Sequence, residues 1–162
     1  MKIKDSGKRT EFATGAVRDV QSLEKGRCDL MPLDVMAGLY AHCGYSEESD
    51  VLTNIHLFQL NGRVVHLYNA LKSVTIYSAL SEMFLEVAIH MAEGCEKYGE
   101  RNWQKGIPAS RYVDSAVRHY LKWLRGDDDE PHNRAFCWNI LCCIWTCINK
   151  PELNDYAMKE EV

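Results

Sequence analysis

From Asp29 onward the chain alternates between segments with apolar residues every three or four positions and short polar breaks rich in glycine, proline or acid. That period is the mark of amphipathic helices. Leu33, Met36, Ala37 and Tyr40 fall on one face of a first helix that starts between Asp29 and Pro32, where proline suits the first turn. A break over 44–50 precedes a short helix over 51–59. Asn61-Gly62 then reads as a turn, and another short helix covers 63–73. A long helix over 76–98 carries Met83, Phe84, Val87, Ala88 and Met91 as its apolar stripe. After a glycine-containing connection, Pro108 and a capping Ser110 open a helix that buries Val113, Ala116, Val117, Tyr120, Leu121 and Leu124 and stops at Gly126. Asp127-Asp128-Asp129-Glu130-Pro131 opens the last helix, with acids in the first turn and proline at its first position. Pro151 closes that helix.

No stretch alternates long enough to predict a sheet, and no internal repeat is present. The expected class is therefore all-α, a single-domain helix bundle. Residues 1–28 form an irregular N-terminal segment packing on the domain, 29–150 the helical domain, and 151–162 a polar C-terminal tail.

A chain of 162 residues suits one domain. The net charge of −4 and a pI near 5.9 argue against direct nucleic-acid binding, which favours basic surfaces. The first residues, MKIKDSGKRTEF, contain no apolar run of the kind a secretory signal needs. The most apolar stretch, 135–148, is interrupted by Asn139 and Thr146 and is too short to span a bilayer. Seven cysteines form no CxxC pair, and four of them lie in that stretch. They read as reduced, buried small hydrophobes of a cytoplasmic protein rather than as a zinc site.

The candidate chemistry lies in the second half. Glu82, Glu86, His90, Glu93 and Glu96 sit on the long helix, on the side opposite its apolar stripe. Glu86, His90 and Glu93 stack at spacings of four and three. Carboxylates in that pattern suit a hard cation, Mg²⁺ or Mn²⁺; a solvated acidic face is the alternative. A second acidic group runs from Asp127 to Glu130, with His132 behind it. Between the two groups, residues 97–125 hold seven cations and two acids, a local balance of +5. Arg118, Lys122 and Arg125 share one helix face. Cations bracketed by carboxylate clusters suit a phosphate chain bridged by metal ions. Tyr98 and Trp103 offer flat faces for a base. Asn139, the only amide in the apolar stretch, either ties helices together or contacts a ligand.

The run KYGERNWQKGIP, then SRYVDSAVRHYLKWLRGDDDEPH and AFCWN, resembles the dATP/dGTP diphosphohydrolase N-terminal family, found mostly in phages and prophages. TGAVRD and EKGRCDLMP match it as well. The resemblance covers 5–43 and about 82–146; residues 44–81 are less characteristic. It implies an all-α fold related to the MazG-like pyrophosphohydrolases. Those enzymes hold Mg²⁺ or Mn²⁺ on acids of two adjacent helices and cut between the α and β phosphates. Their usual ExxE is met by Glu93 and Glu96. Their ExxD is not met: Glu130-Pro131-His132-Asn133 has asparagine where aspartate would stand, and Asp129 or His132 are the nearest substitutes.

Carried over, the resemblance assigns metal binding to Glu86, Glu93, Glu96, Asp129 and Glu130, with a general base among Glu93, Glu96 and Glu130. Lys105, Arg118 and Lys122 would meet phosphates, and His119 a phosphate oxygen. Tyr98, Arg101, Asn102, Trp103, His132 and Asn139 complete the expected ligand contacts. The implied reaction converts a purine (deoxy)nucleoside triphosphate to monophosphate and pyrophosphate, in a homo-oligomer (dimer or tetramer) in the cytoplasm of a bacterial host. The alternative is a phage nucleotide sponge that binds a host immune signal without cutting it, and a third reading is a purely structural helical protein.

Overall fold

The computed structural model describes residues 7–20, 26–74 and 80–157. The expected start of the long helix at 76 and the last residues of the polar tail lie outside them.

Six helices carry the fold: α1 (Leu33–His42), α2 (Ser46–Asn61), α3 (Val65–Lys72), α4 (Leu80–Tyr98), α5 (Ala109–Arg125) and α6 (His132–Asn149). The class is all-α, as the periodicity implies. Strands β1 (Arg9–Glu11) and β2 (Val17–Asp19) form a small antiparallel hairpin, with Arg9 opposite Asp19 and Glu11 opposite Val17. The N-terminal segment is thus more regular than expected. Three-residue strands are too short to leave an alternating pattern in the sequence.

α5 and α6 are joined by the short acidic turn and make the most extensive helix pair. Tyr112, Val113, Ala116 and Val117 of α5 meet Phe136, Ile140 and Cys143 of α6 in the core. α6 is buried on most sides because its neighbours cover it all round: α5, α4, α3 and the turn at Pro151–Leu153. Small cysteine side chains allow that close approach. All seven cysteines are free, but Cys43 and Cys95 are exposed, unlike the buried thiols expected. No helix among the described residues is long and apolar enough to cross a membrane.

Several local expectations are corrected. α2 begins at Ser46, five residues early, because Glu47 and Glu48 in its first turn complement the helix dipole and outweigh the polar composition. Ser110 does not cap α5. Pro108 occupies the cap position, and the Ser110 backbone N–H and hydroxyl both donate to Asp155, pinning residues after α6 to the start of α5. Pro131 stands just before α6 rather than at its first position.

The largest correction concerns α4. Its buried face is Met83, Val87 and His90, with Met91 partly covered, whereas Phe84 and Ala88 point outward beside Leu85 and Ile89. The acids Glu86 and Glu93 lie on the inward side, toward α6, not opposite the stripe. α4 has two apolar stripes, and periodicity alone does not say which one meets the core.

The C-terminal residues are not simply a tail. Tyr156 packs edge-to-face on Phe58 of α2, and the Asn154 amide donates to the Gly62 carbonyl at 2.8 Å. Gly62 ends α2 at φ 65°, and a Cβ there would lie 2.6 Å from the backbone of Ala157. Both the left-handed turn and the close approach require glycine.

Candidate functional site

The connection between α4 and α5 holds the N-terminal hairpin. Asn102 is buried, and its side chain clamps Val17 from both sides: Val17 N–H donates to Oδ1 at 2.8 Å, and Nδ2 donates to the Val17 carbonyl at 2.7 Å. The Thr14 hydroxyl donates to the Gly106 carbonyl. Asp19 receives Lys97 Nζ at 2.8 Å, the Tyr98 hydroxyl at 2.8 Å and Arg9 at 3.1 Å. Trp103 packs edge-to-face on Trp145 of α6. Arg101, at φ 53°, takes the left-handed turn that starts this loop.

With its ends held, the hairpin passes Arg18 inward. The guanidinium lies over the rings of Tyr112 (5.3 Å) and Trp138 (5.8 Å), and its Nη2 donates to Asn139 Oδ1. Asn139 in turn donates to the Ala135 carbonyl at 2.8 Å, so this amide both braces its own helix and positions the arginine. Among the described residues no carboxylate pairs with Arg18, and its solvent-shielded Nη1 has no hydrogen-bond partner there. Burial lowers its pKa below the usual arginine value.

Arg18 lines a cavity of about 380 Å³ between the hairpin, α4, α5 and the start of α6. Arg111, Arg118 and Lys122 line the same space, as do Tyr98, Asn102, Trp103, Asp114 and Asn139. Asp114 accepts from the Cys28 N–H at 2.7 Å and pairs with Arg118 one turn along α5. Burial, with Arg111 and Arg118 nearby, lowers the proton affinity of Arg18, and burial, with Arg27 and Arg118 nearby, lowers that of Arg111. Concentrating cations with partial compensation in a desolvated cleft is unfavourable unless an anion enters. His90 lies in the wall against Trp138, its Nδ1 buried without a partner. Burial, with Arg134 and Arg18 nearby, pulls its pKa down to about 3, so the ring is neutral.

One end of the cavity is formed by the α5–α6 turn. Lys122 pairs with Asp129 at 3.4 Å, Asp129 accepts from His132 Nε2 at 2.8 Å, and His132 Nδ1 lies 2.9 Å from His119 Nδ1. Burial and the neighbouring His132 and Arg118 hold His119 well below its ordinary pKa. Ligand atoms of His119, Glu130 and His132 lie within 4.8 Å of one another, as do those of Asp127, Asp129 and His132.

The acids of α4 are arranged differently. Arg134 of α6, itself buried, pairs with Glu93 at 2.8 Å and reaches Glu86 at 3.9 Å. Glu96 is exposed. None of the three joins a metal-sized cluster among the described residues. The structure therefore brings together Tyr98, Asn102, Trp103, Arg118, His119, Lys122, Asp129, Glu130 and Asn139 around one cavity, with His132 behind its end. Glu86, Glu93, Glu96, Arg101 and Lys105 do not line it. Arg18, Arg111 and His90 are not among the site residues named from the sequence: the segment around Arg18 suggests anion contact or a solvated tail, Arg111 counts only in the basic stretch, and His90 only in the stack on the long helix. Arg18 had one signal, its place in the TGAVRD segment, but only the docked hairpin shows that it points into the cavity.

Fold and site together define an all-α protein with a cation-rich cavity closed at one end by carboxylates and imidazoles. The chain belongs to the dATP/dGTP diphosphohydrolase N-terminal family, whose profile matches residues 68–156, more than half of its length. No curated protein and no solved structure matches the chain.

Proposed function

We propose that the cavity binds a purine (deoxy)nucleoside triphosphate and that the protein releases its monophosphate and pyrophosphate. The observation that carries this reading is the arginine cluster: Arg18, Arg111 and Arg118 face one space, and among the described residues Arg18 has no carboxylate partner. A phosphate chain is the dense, multiply hydrogen-bonding anion that such a cluster suits. Tyr98, Trp103 and Trp138 supply apolar faces for the nucleoside, and the neutral His90 offers a buried polar atom for its edge.

A bound divalent cation, Mg²⁺ or Mn²⁺, would neutralise phosphate charge and lower the pKa of an attacking water. The end of the cavity suits such an ion: Glu130 offers a carboxylate there, and Asp129 stands behind it, beside the cations that would hold the phosphates. In this chain the arginines bind and orient the phosphates, Lys122 sets Asp129, and the hairpin screens the site from water.

A second reading, capture without cleavage, is favoured by one observation: Glu86 and Glu93 are engaged by Arg134 instead of facing the cavity. Incubation with dGTP or dATP and Mn²⁺, followed by chromatography of the denatured mixture, separates the two. Monophosphate plus pyrophosphate supports the enzyme, intact nucleotide released from protein supports capture, and no retained nucleotide refutes both.

Self-association belongs to the same proposal. Leu80 and Leu85 are 67% and 71% exposed on the outward face of α4, beside Phe84 and Ile89. An apolar stripe of that kind suits a second copy of the chain. Light scattering of Leu85→Glu beside the parent chain tests it, a lower mass being the expected result.

A further inference from the structure

We propose that the end of the cavity is a histidine-bearing transition-metal site, formed by His119 of α5 with Glu130 and His132 at the start of α6. The inference deepens the reading above, because it names the class of metal that the nucleotide site uses.

Three observations converge. The two imidazole Nδ1 atoms face each other at 2.9 Å. Two nitrogens bound to one ion at about 2.0–2.1 Å and roughly a right angle are separated by about 3 Å, so the rings already stand at ligand spacing. Next, Asp129 accepts a hydrogen bond from His132 Nε2 at 2.8 Å. A carboxylate accepts only, so that nitrogen carries a proton, and in the neutral ring the His132 Nδ1 lone pair then faces His119. This is the outer carboxylate that commonly orients a metal-bound histidine. Finally, a Glu130 oxygen lies within 4.8 Å of both rings' ligand atoms, and His119 and Glu130 line the cavity itself.

The chemistry of this donor set selects the ion. Mg²⁺ prefers oxygen ligands and retains water, whereas imidazole nitrogen favours Mn²⁺, Co²⁺, Ni²⁺ or Zn²⁺, with affinity rising from Mn²⁺ through Co²⁺ to Ni²⁺. Three protein ligands leave positions open for phosphate oxygen or water. Without metal, the same contact is a hydrogen bond in which the His119 Nδ1–H donates to His132. Binding requires His119 to carry its proton on Nε2 instead. Asp127 and Asp129 are less suited as primary ligands, since Arg125 and Lys122 pair with them.

The test uses the full chain and metal alone. Titration with Co²⁺, read by its visible absorption, and with Mn²⁺, read by the loss of free-ion electron paramagnetic resonance, should give one ion per chain. Mg²⁺ should bind at least about tenfold more weakly, as expected for a nitrogen-bearing site. His119→Gln and Glu130→Gln, each checked for native circular dichroism, should weaken Co²⁺ at least tenfold. Glu130 is only partly buried and its substitution conserves shape, so it keeps the test decisive if the histidine variant fails to fold. Unchanged Co²⁺ affinity in the folded variants, or Mg²⁺ bound as tightly as Co²⁺, overturns the proposal. Co²⁺ bound as described with no nucleotide binding would leave the metal site standing and remove the nucleotide reading. Nucleotide cleavage with Mg²⁺ that survives Glu130→Gln would do the reverse.

Discussion

Replacing Arg18 by methionine separates binding from folding in this protein. Methionine keeps an apolar stem over Tyr112 and Trp138 and removes the guanidinium. In the free protein the losses are one charge-assisted hydrogen bond to Asn139, about 1.5–3 kcal/mol, and ring contacts of about 0.5–1 kcal/mol each. Against these stands relief from burying a cation with no carboxylate beside it, a penalty of several kcal/mol. The terms nearly cancel, so unfolding free energy should change by no more than about 1 kcal/mol, or roughly 2–4 °C in Tm for a chain of this size. Ligand binding has no such compensation. Two charge-assisted bonds to phosphate disappear, about 1.5–3 kcal/mol each, which weakens binding by roughly 100-fold or more. At a ligand concentration about 100 times the parent Kd, the parent gains about 2.7 kcal/mol of stability. A variant weakened about 100-fold gains only about 0.4 kcal/mol under the same conditions. Thermal melts with and without dGTP or pyrophosphate, backed by calorimetric titration, read both numbers. A folded Arg18→Met protein that binds pyrophosphate within about threefold of the parent would refute the claim that the buried guanidinium is an anion receptor.

Three other perturbations test the frame around the site. Arg134→Met removes a buried cation that pairs with Glu93 and reaches Glu86, and should cost about 2–4 kcal/mol in urea denaturation because a largely buried ion pair is broken from one side; a loss below about 1 kcal/mol would deny that this pair braces α4 on α6. Gly62→Ala places a Cβ 2.6 Å from the Ala157 backbone at φ 65° and should destabilise by more than about 1 kcal/mol, with faster proteolysis after α6; an unchanged melt would contradict the close approach. His90 and His119 are both neutral in the folded chain, their pKa values lowered, that of His90 to about 3. The unfolded chain protonates such rings below about 6.5, so their contribution to stability is full above that pH and falls as pH drops, for His90 down to about 3. The slope should be about 1.4 kcal/mol per pH unit for each ring, and His90→Gln should remove one proton's worth of it in a pH series of urea melts.

The long polar and aromatic connection at residues 96–108 was visible as something more than a linker, because a turn needs glycine, not Tyr98, Asn102 and Trp103 together. Its target was not visible. Asn102 turned out to hold the Val17 backbone, and Lys97 and Tyr98 to hold Asp19, 78 and 79 residues earlier in the chain. Contacts over such separations leave no period in the sequence. α4 makes the same point differently: Phe84 and Ala88 fit an apolar stripe as well as Met83 and Val87 do, and only docking on α6, with Arg134 drawing Glu86 and Glu93 inward, decides which face is covered.

Local physics written in the sequence determined the helices, the glycine that ends α5, the all-α class and the residues whose motifs mark the family, since each depends on neighbours within a few positions. Tertiary structure alone decided that the N-terminal segment docks as a hairpin, that Arg18 enters the cavity against Asn139, Tyr112 and Trp138, and that His119 meets His132 across two helices. Those outcomes depend on which surfaces exclude water together, a property of the packed chain as a whole and of no single segment.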